Sequence, residues 1–356
     1  MSHVAPLRIF ALLTFSLCLI VVVLGAYVRL SDAGLGCPDW PGCYGHLSPV
    51  GAASDVAPEG TAADVAAHSG RPLELGKAWR EMLHRYAAGT LGLMIFVLAI
   101  LSYTWRRERL VPLGQSLALP AIVIVQAAFG MLTVTWRLKP IIVTTHLLLG
   151  LTTLSLLWWL TLGLLRSARG PQHVGVMRAG AMREIDLPGP RLRRARGLAA
   201  IGLIALCLQI TLGGWTSSNY AALACPDFPT CQGSWWPPTD FHAAFQLSRG
   251  ILIDEGQDLS APALVAIQLA HRIGASLASL ALLLAAVAAL RAQLRGGAAA
   301  LAATAVMAAL ALQLGVGVGM VLRGFPLELA TAHNAGAALL LLATLALNHA
   351  LHPVTS

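Results

Sequence analysis

Eight stretches of the chain carry no Asp, Glu, Lys or Arg: 9–28, 86–105, 110–136, 140–165, 197–226, 273–290, 296–322 and 329–356. The run at 273–290 continues backwards through apolar sequence from Pro262, broken only by Arg272. Each supplies the roughly 20 apolar residues that a helix needs to cross the hydrocarbon layer of a bilayer. Without water in that layer, backbone groups must bond within their own segment, so helices are expected rather than an open sheet. The predicted fold class is an all-α polytopic membrane protein. Its eight transmembrane helices form two tandem, pseudo-symmetric four-helix bundles. The first run exceeds the usual apolar core of a signal peptide and has a counterpart in the fifth, so it is expected to be a retained span.

A long internal repeat supports the division in two. Residues 36–45 read GCPDWPGCYG and residues 224–233 read ACPDFPTCQG. Cys37 and Cys43 recur 188 residues later as Cys225 and Cys231. His84-Arg85 recurs 187 residues later as His271-Arg272, Gln126 as Gln313, and His146 as His333. The predicted organisation is an N-terminal bundle over 1–165, a cytoplasmic linker rich in Arg, Gly and Pro over 166–196, and a C-terminal bundle over 197–356. Short amphipathic helices are expected in the outer segments 46–80 and 234–261. The Trp235-Trp236 pair reads as a membrane-interface anchor.

Composition and charge then orient the bundle. Of the residues, 57% are hydrophobic and 11% charged, and mean hydropathy is +0.71. On the side of the termini lie 14 of the 24 Lys and Arg against three acidic residues; the opposite side has 10 against 13. The positive-inside rule places the first side in the cytoplasm, with both termini, and sends the cysteine loops to the periplasm of a bacterial inner membrane. The net charge of +8 therefore reflects topology and gives no support for nucleic-acid binding. In an oxidising compartment, Cys37 with Cys43 and Cys225 with Cys231 are the natural disulfide pairs. Their spacing matches neither the metal knuckle nor the C-x-x-C redox motif, though a redox-active pair stays open as an alternative. Cys18 and Cys207 lie mid-helix and read as small buried apolar residues.

The four repeated histidines are the candidate chemistry. Ionisable groups within spans usually mark function, and bundle interiors hold cofactors ligated from facing helices. Two histidines per site, in apolar and glycine-rich surroundings, suit a heme iron clamped on both faces better than zinc. Copper and quinone binding are the alternatives. Arg85 and Arg272 either pair with a carboxylate such as a heme propionate or snorkel to water. The halves differ at one telling position: Glu81 stands where the second repeat has Gln268, each three residues before the histidine and on its face. A carboxylate can accept a proton or stabilise positive charge, and an amide does neither comparably. The N-terminal half is thereby nominated as the reactive one.

The segments AYVRLSDAGLGCPDWPGCYG, EMLHRYAAG, TTHLLLG, ACPDFPTCQG, QLAHRIGA and TAHNAGA together resemble heme A synthase of the cytochrome oxidase assembly pathway. The resemblance covers roughly residues 8–350. It implies an oxidoreductase that oxidises the C8 methyl group of heme O through an alcohol to the formyl group of heme A. His84 and His146 would hold the substrate, with Glu81 as the catalytic carboxylate. His271 and His333 would ligate a resident heme B. A heme O synthase and cytochrome oxidase assembly factors are the implied partners, together with an electron acceptor that the sequence does not name; homo-oligomerisation is left open. Where that family carries a Thr-Gly-Ser-Gly-like stretch, this chain reads Ser31-Asp32-Ala33-Gly34. The competing readings are a diheme cytochrome acting only in electron transfer and a periplasmic thiol–disulfide oxidoreductase.

Overall fold

The computed structural model describes residues 4–55, 73–106, 113–167, 189–247, 259–292 and 297–352. Eight long helices carry the fold: α1 (Val4–Leu30), α2 (Leu75–Thr104), α3 (Leu113–Thr135), α4 (Pro140–Ser167), α5 (Pro190–Ser218), α6 (Ala261–Ala292), α7 (Ala298–Leu322) and α8 (Leu327–Leu351). All eight are long and apolar enough to span a membrane. At 1.5 Å per residue, even the 23-residue α3 is about 35 Å long, more than the ~30 Å hydrocarbon thickness. No strand occurs among the described residues; the two isolated bridges, Cys43 with His46 and Cys231 with Ser234, sit in the cysteine loops.

Helices α1 to α4 pack as one bundle and α5 to α8 as a second, and the two meet along α1, α4, α5 and α8. Leucine and alanine fill a single apolar core running through both bundles, from Leu7 and Leu98 to Leu282 and Leu347. The outward faces are also apolar: Ile20, Leu93, Ile204 and Leu301 are all exposed. That distribution is stable only where the surrounding solvent is itself apolar. Polar ties cross between the bundles. Trp158 Nε1 donates to Leu342 O at 3.0 Å, the Thr144 and Ser218 hydroxyls lie 3.1 Å apart, and Arg29 Nη2 donates to Ser217 O at 3.3 Å.

The repeat reaches into backbone detail. The α3–α4 turn holds Arg137 and Leu138 at positive φ, and the α7–α8 turn holds Gly324 and Phe325 there. The cysteine loops place Tyr44-Gly45 and Gln232-Gly233 at positive φ in the same way. Left-handed backbone at a non-glycine residue costs energy and needs a compensating contact. Each loop supplies one through its aspartate. Asp39 accepts from the amides of Tyr44 (2.5 Å) and Gly45 (2.9 Å), and Asp227 from those of Gln232 (2.6 Å) and Gly233 (3.0 Å).

Several expected limits move. α2 begins at Leu75, eleven residues before the charge-free run, and so includes Lys77, Arg80, Glu81 and Arg85. The segment after α1 satisfies these polar side chains: Lys77 pairs with Asp32, Arg80 donates to Ser31 O, Glu81 accepts from the Cys37 amide and Arg85 donates to Asp39 O. α5 begins at Pro190, so Arg191, Arg193, Arg194 and Arg196 belong to its first turns and not to a linker; 168–188 lies outside the described residues. The fifth apolar run is split: α5 stops at Ser218, Tyr220 turns left-handed, and Ala221–Ala224 forms a separate short helix. The expected outer helices are Pro49–Asp55 and Phe241–Ala244. Cys18 is buried as expected, whereas Cys207 is exposed. Cys207 sits on the face of α5 that also exposes Ile204 and Leu208, where a thiol is as well accommodated by lipid as by a core.

Candidate functional site

Both cysteine pairs are closed as disulfides, Cys37–Cys43 and Cys225–Cys231, with Cα–Cα distances of 4.7 and 4.6 Å. Each stapled loop lies against the helix bearing the first histidine of its half. Arg272 donates to the carbonyls of Thr230 (2.7 Å), Asp227 (2.8 Å) and Cys225 (3.1 Å). Arg85 donates likewise to the carbonyls of Asp39 (2.8 Å), Pro41 (3.3 Å) and Gly42. The planar, multi-donor guanidinium suits this convergence of carbonyls. Loop anchoring was not among the roles foreseen for these arginines, and only the folded loop makes it visible.

In the second loop the Asp227 carboxyl is pulled down to about 2 by the Thr230 hydroxyl and by the amides of Gly233 and Gln232. A depressed carboxyl contributes stability that is fully present above its unfolded value near 3.8 and is lost as pH falls towards 2. The loop is therefore expected to keep its amide protection at pH 5 and to lose it between about pH 4 and 2. An Asp227→Asn variant should show weaker protection with no such acid transition. Hydrogen exchange at Gln232 and Gly233, corrected for the intrinsic pH dependence, measures this.

Glu81 is the only buried charged residue among the described residues, at 4% exposure. One carboxylate oxygen accepts from the Cys37 amide at 2.9 Å, and the other is ion-paired with Arg85. The carboxylate is thus tied to the disulfide loop on one side and to its anchoring arginine on the other. Gln268 is equally buried, but its Oε1 has no hydrogen-bond partner. The Glu81/Gln268 difference is therefore also a difference in how each loop is fastened.

Nine residues into α2, His84 lies about 14 Å from the helix start, deeper than the charge-free run alone suggests. His146 projects from α4, His271 from α6 and His333 from α8. Every one of these rings lies against a glycine of a neighbouring helix. A Cβ on Gly25 would stand 2.8 Å from His84 Cε1; on Gly130, 3.1 Å from His146 Cε1; on Gly213, 3.2 Å from His271 Cε1; and on Gly317, 2.9 Å from His333 Cε1. These glycines obey the same repeat, Gly25 with Gly213 and Gly130 with Gly317. They went unassigned at the sequence level because any glycine-rich span also packs tightly for structural reasons; the repeat offset was the signal that singles them out. Gly25→Ala is expected to push the His84 ring aside and to cost about 1–3 kcal/mol by overpacking. Gly89→Ala on α2, where nothing lies within 4 Å, should cost nothing. Thermal midpoints of the two purified variants make the comparison.

Three ring nitrogens, the Nδ1 atoms of His84, His146 and His333, are buried without a hydrogen-bond partner. The side chains of Gln126 and Gln313 approach His146 Nε2 and His333 Nε2 at 3.5 and 3.3 Å. His271 and His333 face one another with ring centroids 6.5 Å apart and planes at 74°. Among the described residues no three His, Cys, Asp or Glu side chains gather as a metal site, so each half offers a pair of imidazoles.

Fold and site together define a twofold-repeated, eight-helix membrane protein with a histidine pair inside each bundle. A family model described as cytochrome oxidase assembly protein, COX15-CtaA, matches residues 8–345, and the chain belongs to that family. It is 38% identical over 345 residues to the heme A synthase of Shewanella oneidensis, covering 95% of this chain and 94% of that protein. It is 27% identical over 347 residues to the heme A synthase of Rhizorhabdus wittichii, covering 93% and 90%. With the heme A synthase of Halalkalibacterium halodurans it shares 26% identity over 235 residues, covering 65% and 66%.

Proposed function

We propose that this protein converts heme O to heme A by successive oxidation of the C8 methyl group to a formyl group. The N-terminal bundle is the reactive half, and the C-terminal bundle holds a resident heme B. The observation that carries the assignment is Glu81, a buried carboxylate one helical turn from His84, with an amide at the equivalent place in the other half. His84 and His146 would hold the substrate heme, and Gly25 and Gly130 leave their rings room.

Oxidation of a methyl group with one water to an alcohol, and of that alcohol to an aldehyde, each releases two electrons to an external electron acceptor and two protons. The protons need a local acceptor. Glu81 can take one up and can stabilise positive charge that develops beside it. Its bonds to Cys37 and Arg85 hold the carboxylate in one orientation, so no reorganisation is needed as charge appears.

His271 and His333 fit a single metal ion between them. Two metal–nitrogen bonds of about 2 Å, plus roughly 1 Å from each nitrogen to its ring centre, span about 6 Å; the centroids are 6.5 Å apart. Two histidines would suffice to hold an iron porphyrin, whose macrocycle would supply the iron's other ligands. Bound there, heme B supplies one-electron redox chemistry. Arg85, paired with Glu81, and Arg272 stand beside the first histidine of each pair, where porphyrin carboxylates would meet them. The arginine-rich side faces the cytoplasm with both termini, and the cysteine loops face the periplasm of a bacterial inner membrane.

Extraction and chromatography of the hemes in the purified protein test this reading. Heme B together with heme O or heme A is the expected result. Heme B alone would replace the proposal with a diheme electron carrier, and a heme-free protein would overturn it.

A further inference from the structure

The two halves also differ behind the first histidine of each pair. On α5, Gln209 reaches His271: its Nε2 lies 3.0 Å from His271 Nδ1 and donates to His271 O at 3.0 Å. Gln209 stands one helical turn before Gly213, the glycine against the His271 ring. The contact depends on a second glycine. A Cβ on Gly274 would lie 2.3 Å from Gln209 Oε1, so any other residue there would expel the amide. By the repeat offset the N-terminal counterparts are Val21 and Ala87. Val21 is buried and apolar, Ala87 carries the Cβ that Gly274 lacks, and His84 Nδ1 has no hydrogen-bond partner. An amide and the space for it occur together in one half and are missing together from the other.

We infer that Gln209 is a positioning residue that fixes His271 as a permanent ligand, while the Val21/Ala87 pair leaves His84 free to accept and release a heme that must turn over. The inference rests on the proposed function, which needs one resident and one exchangeable heme. An amide offers both an N–H and a C=O, so it can serve Nδ1 in either protonation state; valine can serve neither. Turned end for end, the amide would place Oε1 where Nε2 now lies beside Nδ1 and accept an Nδ1 proton, giving up its bond to His271 O. Either orientation fixes the ring, and the one in which Nδ1–H donates to Oε1 also raises ligand basicity, which favours the ferric state and slows ligand loss. Without one, His84 is held only by packing.

Two variants of the full-length protein test this, read by the rate of heme transfer to excess apomyoglobin and by the heme B midpoint potential. Gln209→Met keeps length and volume but removes the hydrogen bond. It should speed heme B loss by about 10- to 100-fold, raise the heme B potential and leave the N-terminal heme unchanged. The reciprocal Val21→Gln/Ala87→Gly variant should slow release of the N-terminal heme by a similar factor without moving the heme B potential. Wild-type heme B loss and potential in a folded Gln209→Met protein would overturn the inference. Should that variant fail to fold, an unchanged N-terminal release rate in the double variant overturns it instead. Heme B absent from the wild-type protein would mean that the proposed function itself has failed, an outcome seen before any variant is made.

Discussion

Glu81→Gln protein is expected to retain its hemes yet lose heme A formation by about 100-fold or more, the usual scale for removing a positioned acid–base group. Heme O, or the alcohol derived from it, should accumulate. The substitution installs the residue that the other half already carries at Gln268, so its steric effect is small and the bundle has shown that it accepts that amide. A glutamine oxygen can still take the Cys37 amide proton, but it cannot ion-pair with Arg85 or take up a proton at working pH. Heme analysis of membranes from expressing cells, with heme content of the purified variant as the control for folding, measures both consequences. Undiminished heme A would remove Glu81 from the mechanism.

Removal of either histidine of the second pair should be selective. His271→Ala or His333→Ala should remove the bis-histidine heme B spectrum, because each variant leaves only one of the two proposed ligands. The prenylated heme should persist, since its proposed ligands, His84 and His146, lie on α2 and α4 and the two pairs share no residue. Reduced-minus-oxidised difference spectra, with extracted-heme chromatography, separate the two signals. Equal loss of both hemes from a folded variant would show that the pairs do not act as separate sites. The effect should exceed that of Gln209→Met, which weakens one ligand rather than deleting it.

Much of this was legible along the chain because a bilayer imposes strict rules. Charge-free runs marked all eight spans, because polar groups are costly in hydrocarbon. The repeat offset identified His84, His146, His271 and His333 and exposed Glu81 against Gln268. Helix limits were less legible wherever a charged segment remains helical under a loop, as Leu75 to Arg85 does. Cys207 illustrates a further gap. Apolar character decides that a residue belongs in a span, but both the lipid face and the core are apolar, so character alone does not assign a face.

Periodicity and internal repetition therefore determined the number of spans, the paired histidines and the glutamate whose counterpart is an amide. Tertiary structure decided what touches what. It turned Arg85 and Arg272 into anchors for the disulfide loops, joined Glu81 to Cys37, set a glycine against every histidine ring, and gave Gln209 to His271 while leaving His84 without such a partner. The physical reason is that hydropathy and repeat period are properties of single segments, readable one helix at a time. A hydrogen bond or a missing Cβ acts between segments, and its effect exists only once the helices have packed.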